Sequence, residues 1–176
     1  MAEPRIYSRN WVDANSVISS THGGTTGALF DRGTAVQFVT TGANSDSTTA
    51  SIYIYFYEGG SAVYKTIDTI FLNNYNWKDW SISYWNGSTW PSVAANSSDT
   101  ESNRYIGIGN ISVDVIRIDM NKTKVAHEEK SIGEIILCRT NMAVDDMASY
   151  DTKWREKTKE IVLGDGAIHR VITRAV

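Results

Sequence analysis

Residues 67–85 read IDTIFLNNYNWKDWSISYW, and their reading decides the fold. Residues 67–72 are a β-rich run that breaks at Asn73-Asn74. After Trp77, residues 80–85 alternate large and small side chains with period two, the mark of a half-buried strand. Asn86-Gly87 then supplies a hairpin turn, because both residues tolerate positive φ at little cost. Strand, polar corner, strand and tight turn, with three tryptophans around them, predict the middle of an antiparallel β-sandwich.

The flanks repeat the theme. Residues 51–57, SIYIYFY, form the strongest strand pattern, with aliphatic and aromatic residues alternating so that both faces are expected to be partly covered. Residues 35–39, 104–108 and 132–137 are further strands. Residues 113–120 alternate apolar with charged side chains, so one face of that strand is expected to be wet. Polar loops are expected at 40–49 and 94–103, and a charged one at 121–130. About eight strands at turn-punctuated spacing fit an all-β sandwich or jelly roll. From residue 142 the chain changes character. Residues 142–159 are charged, with a short helix expected in part of them, and 160–163 with 167–172 read as a β-hairpin. The predicted division is a sandwich domain over 1–140 and a linker-plus-hairpin extension over 141–176.

The 176 residues are 41% hydrophobic with a net charge of −3, the balance of an ordinary soluble globule. That charge gives no reason to expect nucleic acid or an anionic membrane as the main partner. The single cysteine, Cys138, sits in an apolar run and reads as a small core residue. No apolar stretch approaches the ~20 residues of a membrane helix, and the first residues have no apolar signal region. No membrane insertion and no classical secretion are expected.

The order of motifs resembles a discoidin, or F5/8 type C, domain, the galactose-binding-like jelly roll. The residues that carry the resemblance are Leu29-Phe30-Asp31, Phe38 in a tryptophan's place, Ile70-Phe71-Leu72-Asn73, the run 80–84, Trp90, Ile116-Arg117-Ile118 and Ile132-Gly133-Glu134-Ile135. It covers roughly residues 10–140. Such domains serve as sugar-binding modules, adhesion modules and parts of phage virions. The C-terminal extension looks like the joint by which phage tail proteins pass to their next domain. The resemblance therefore implies a virion location, with assembly in a bacterial cytoplasm. Many members of the family hold a structural Ca²⁺, and Asp31 and Glu134 fall at two of its ligand places. Here Val36 replaces the family's threonine and Arg32 adjoins Asp31, so a surface Asp–Arg pair is the competing reading. No other cofactor is expected.

Two site hypotheses follow from the residues. Tyr75, Trp77, Trp85 and Trp90, with Asn73, Asn74 and Asn76 as hydrogen-bonding partners, form a candidate sugar-stacking platform. The competing reading makes the tryptophans caps of the sandwich core. Ile161, Leu163, Ile168 and Val171 of the C-terminal hairpin are candidate assembly contacts, since a lone two-stranded unit is marginal in water. His22, His127 and His169 are isolated. No nucleophile elbow, phosphate loop or spaced carboxylate pair points to catalysis. The expected function is a non-enzymatic structural virion subunit, a self-assembling part of a phage tail or baseplate in contact with other virion proteins. The alternative is a carbohydrate-binding module recognising glycans through loop aromatics.

Overall fold

The computed structural model describes residues 5–7, 10–30, 36–143, 159–162 and 168–171. In chain order the strands are β1 (Arg5–Tyr7), β2 (Val17–Ser20), β3 (Phe38–Val39), β4 (Ala50–Tyr55), β5 (Tyr57–Glu58), β6 (Ser61–Ala62), β7 (Lys65–Asn73) and β8 (Trp77–Tyr84). They continue as β9 (Ser92–Asn96), β10 (Asn103–Val113), β11 (Val115–Thr123), β12 (Ser131–Ile132), β13 (Glu134–Cys138), β14 (Thr140–Ala143), β15 (Lys159–Val162) and β16 (Ile168–Val171). One 3-10 turn spans Thr26–Leu29.

The chain divides into two compact units, residues 6–141 and a second comprising 1–5 with 142–176. The first holds an antiparallel five-stranded sheet in the order β2-β4-β11-β8-β9 and a three-stranded sheet in the order β10-β7-β13. The architecture is an antiparallel β-sandwich, as expected. In the second unit β15 and β16 pair as a two-stranded antiparallel hairpin. The helix expected within 142–159 falls largely on 144–158, outside the described residues.

Period-two alternation builds the core. Ala50, Ile52 and Ile54 of β4, Ile116, Ile118 and Met120 of β11, and Trp80 and Ile82 of β8 are buried. From the other sheet Ile70 and Leu72 meet Ile135 and Leu137, which lie across from them in register. The odd-numbered residues of β4 and β11 point the other way, so this sheet presents Ser51, Tyr53, Tyr55, Arg117 and Asp119 on its outer face. Cys138 is buried, and burial, with Asp68 nearby, pushes its thiol up to about 12, so it stays a protonated core side chain.

The structure moves several expected boundaries. The expected loop over 94–103 shrinks, because β9 runs to Asn96 and β10 begins at Asn103. Strand β11 continues through Thr123 into the expected charged loop, where Lys122 and Thr123 still pair with β8 across two register shifts. At the β8–β9 turn only Gly87 takes positive φ (96°). Asn86 works through its side chain instead, its Oδ1 accepting from the amides of Ser88 and Thr89 at 3.0 and 2.8 Å. Gly24 is required on two counts. Its φ is +100°, and a Cβ there would lie 2.2 Å from the buried Phe38 ring.

Candidate functional site

Burial separates the expected platform into two groups. Tyr75 and Trp77 are 2% and 0% exposed, with ring centroids 5.4 Å apart inside the core. They cannot stack on a sugar, and this part of the expected platform is corrected. The physical reason is the corner itself. Asn74 takes φ 55°, which turns the chain so that Tyr75 and Trp77 point inward while the asparagines tie the loops together. Asn76 Nδ2 donates to the Glu129 carbonyl at 2.8 Å, and its Oδ1 accepts from the Ser131 amide at 2.9 Å. The carbonyls of Asn73 and Asn74 both accept from the Gly133 amide.

Beneath that corner lies a buried polar network. Asp99 Oδ2 accepts from Tyr75 Oη at 2.7 Å and from Trp80 Nε1 at 2.8 Å. Its Oδ1 accepts from Arg104 at 2.6 Å and from the Glu101 amide at 3.0 Å. Burial alone would push the Asp99 carboxyl up, but the bonds from Tyr75, Arg104, Trp80 and the Glu101 amide outweigh it and hold it below the ordinary carboxylate range. Burial, and then the Asp99 bond, push the Tyr75 phenol up to about 12. Lys124 closes the group, donating to the Tyr75 carbonyl at 2.7 Å with its Nζ 4.4 Å from the Tyr75 ring centroid. Each carboxylate oxygen already accepts two hydrogen bonds, so this network fastens the 97–102 loop and leaves little capacity for a ligand.

Trp85 and Trp90 behave differently. Both are half-buried, with centroids 5.3 Å apart, and both belong to the outer face of the five-stranded sheet. Trp90 meets Tyr53 edge-on at 5.9 Å, and Tyr53 stacks with Tyr55 at 6.4 Å. The Arg117 guanidinium lies over the Trp90 ring, 4.8 Å from its centroid. Register explains the gathering: Arg117 of β11 lies between Tyr53 of β4 and Ser83 of β8. Arg117 Nε is 3.0 Å from Asp119 Oδ2, and Asp119 Oδ1 accepts from the Ser51 hydroxyl at 2.7 Å. The Arg117 N–H is not aimed at that carboxylate, and both Arg117 Nε and Ser83 Oγ are buried without a protein hydrogen-bond partner. Arg117 is held by charge without a directed hydrogen bond, so its Nε and the Ser83 hydroxyl leave polar capacity on neighbouring strands of this face.

Tyr53, Tyr55, Arg117 and Ser83 are the members that the sequence reading missed. Part of the signal was present in the alternation of residues 113–120, which puts Arg117 on a wet face, whereas 51–57 was expected to be partly covered on both faces and Ser83 belongs to the run 80–85. The pairing of β11 between β4 and β8 was not visible. Elsewhere, a small cleft lined by Trp11, Asp13, Phe56, Glu58 and Lys65 is filled from within, since Lys65 lies over the Trp11 ring at 4.8 Å and pairs with Glu58.

Of the expected calcium ligands, Asp31 lies outside the described residues, and Glu134 opens β13, half-buried and across from Asn73. Among the described residues no three His, Cys, Asp or Glu side chains gather as metal ligands. Of the expected assembly contacts, Leu163 lies outside the described residues. Ile161 is on β15, and Ile168 and Val171 are on β16.

No protein-family model and no curated relative matches the sequence. Solved structures do match. Chitosan-binding module 1 of a chitosanase/glucanase from Paenibacillus sp. IK-5 superposes with a TM-score of 0.62 at 13% identity, covering 75% of this chain and 100% of that one. The family 32 carbohydrate-binding module of Clostridium perfringens NanJ, solved with galactose, gives 0.61 at 15% identity, over 74% and 98%. Chitosan-binding module 2 of the Paenibacillus enzyme, solved with chitotriose, gives 0.59 at 16%, over 70% and 95%. At these identities the shared property is the fold: this chain has the galactose-binding-like jelly roll of carbohydrate-binding modules.

Proposed function

We propose that the protein is a non-catalytic carbohydrate-binding module whose ligand lies on the outer face of the five-stranded sheet, across Tyr53, Tyr55, Trp85, Trp90 and Arg117. The observation that carries this reading is the half-buried tryptophan pair flanked by tyrosines and a stacked guanidinium. Aromatic faces take the C–H side of a pyranose, while a guanidinium and nearby hydroxyls take its oxygens. Structural neighbours solved with chitotriose and galactose support the ligand class. Glycan-array screening followed by calorimetry on the best glycan tests it. Trp90→Ala should weaken binding about 100-fold or more while the circular dichroism spectrum stays that of the parent, in the range of a lost hot-spot aromatic. Unchanged affinity in a folded Trp90→Ala protein would remove this face from the proposal.

The virion-subunit expectation is the second reading. It rests on the β15–β16 hairpin, which is two-stranded and so marginal in water without a further partner. Sedimentation velocity over a wide concentration range tests it: a discrete closed oligomer supports assembly, and a concentration-independent monomer opposes self-assembly.

A further inference from the structure

We propose that the loop over residues 40–48 is a cation cage and that the chain fills it with its own cation, the Lys130 ammonium group. Lys130 is only 1% exposed. Its Nζ donates to the carbonyl oxygen of Ala43 and, at 3.2 Å, to that of Ser45. The next residue, Asp46, acts on this ammonium through its charge and not by contact: its Oδ1 is buried without a hydrogen-bond partner, and its Oδ2 lies 3.6 Å from Lys78 Nζ. Burial pulls the Lys130 ammonium below its ordinary range, and the charges of Asp46 and Glu129 oppose that pull and favour the protonated form.

Glu129 grips the same loop with the opposite sign. Its carboxylate accepts from Thr40 Oγ1 at 2.6 Å, from the Gly42 amide at 2.8 Å and from the Ala43 amide at 3.0 Å. Thr40 Oγ1 in turn accepts from the Lys130 amide at 2.9 Å. One dipeptide thus satisfies the loop's N–H groups with an anion and its carbonyls with a cation. Backbone carbonyls are among the oxygen donors that hard cations take from loops. An ammonium with three N–H donors serves the same oxygens, and it cannot dissociate because it is covalently part of β12's approach. The chain's own cation therefore holds these carbonyls of the loop.

Removing the side chain should open a site for a free cation. Lys130→Ala is expected to lower the melting temperature by on the order of 10 °C, as the loss of a buried charge with its partners does. Ammonium or ethylammonium chloride should restore part of the loss. Tetramethylammonium chloride at equal ionic strength should not, because it has no N–H to offer. A variant that melts like the parent, or three salts acting alike, would overturn the proposal. If the variant does not fold, reductive methylation of the parent followed by peptide mass spectrometry decides. Lys78 and Lys122 should react in the folded protein while Lys130 reacts only after denaturation. Modification of Lys130 in the folded protein would overturn the cage.

Discussion

Asp99 shows how one side chain fixes a corner of this molecule. It is 2% exposed, yet it keeps its charge because two side-chain N–H groups, a phenol and a backbone amide all donate to it. Asp99→Asn is nearly isosteric but turns one acceptor into an NH₂ donor. Either amide orientation sets that donor against groups that can only donate, Trp80 Nε1 on one side or Arg104 on the other. A loss of about 3 kcal/mol is expected, read from urea unfolding at neutral pH, since an uncompensated buried polar group costs that order. A loss below about 1 kcal/mol would show that the network positions the loop without stabilising it. Little of this was legible beforehand. Asp99 sits in a Ser/Thr/Asn-rich stretch that reads as a solvated loop, and nothing local marks a carboxylate that must be buried 24 residues away from its phenol. The same blindness explains the divided platform. Tyr75, Trp77, Trp85 and Trp90 are alike as residue types, and only the backbone direction at Asn74 and the sheet pairing decide which rings face water.

At the scale of elements the sequence was far more informative, because a strand's side chains alternate whatever the strand pairs with. The pattern at 67–72 lies within one strand and 80–84 within another, whereas the expected strands at 51–57, 113–120 and 132–137 are each divided between two, at Phe56, Asp114 and Gly133; the wet face expected for 113–120 is the one carrying Arg117 and Asp119. Strand ends were less legible. Ser92–Asn96, SVAAN, is short and mostly small residues, so its ladder with β8 owes more to register supplied by the Asn86–Thr89 turn than to its own propensity. The extension of β11 to Thr123 likewise depends on Trp77 and Asp79 across the ladder, with Asn121 Nδ2 donating to Asp79 Oδ1 at 2.9 Å. Neighbouring strands therefore decide where an element stops, and a single segment's composition cannot carry that information. The outer-face cluster needs three elements at once, β4, β8 and β11, and so became visible only with the sheet order.

For the whole molecule, two hydrogen-bonded carboxylate anchors, buried Asp99 and half-buried Glu129, make acid the condition to which the fold should be most sensitive. Asp99 is held below its ordinary value of 3.8 by hydrogen bonds that outweigh its burial. Glu129 is held below 4.5, first by the Thr40 hydroxyl and then, against a smaller burial effect, by the Ala43 and Gly42 amides. A carboxyl whose folded value lies below its unfolded one binds fewer protons in the folded state. Its contribution to stability is therefore complete above the unfolded value and disappears as the pH falls through the folded one. The melting temperature should stay nearly level from pH 7 to about 5 and then fall progressively below about 4.5, the region where unfolded carboxylates begin to take up protons. Because Asp99 and Glu129 fasten different loops, their losses should add. In Asp99→Asn the acid fall should be shallower, with the part due to Glu129 remaining. Thermal melts across pH 7 to 3 for both proteins measure this directly. A parent melting temperature that stays level to pH 3, or an acid slope unchanged by Asp99→Asn, would mean that these carboxylates are as easily protonated in the folded chain as in the unfolded one, and that the loops over 40–48 and 97–102 are held by their neutral hydrogen bonds alone.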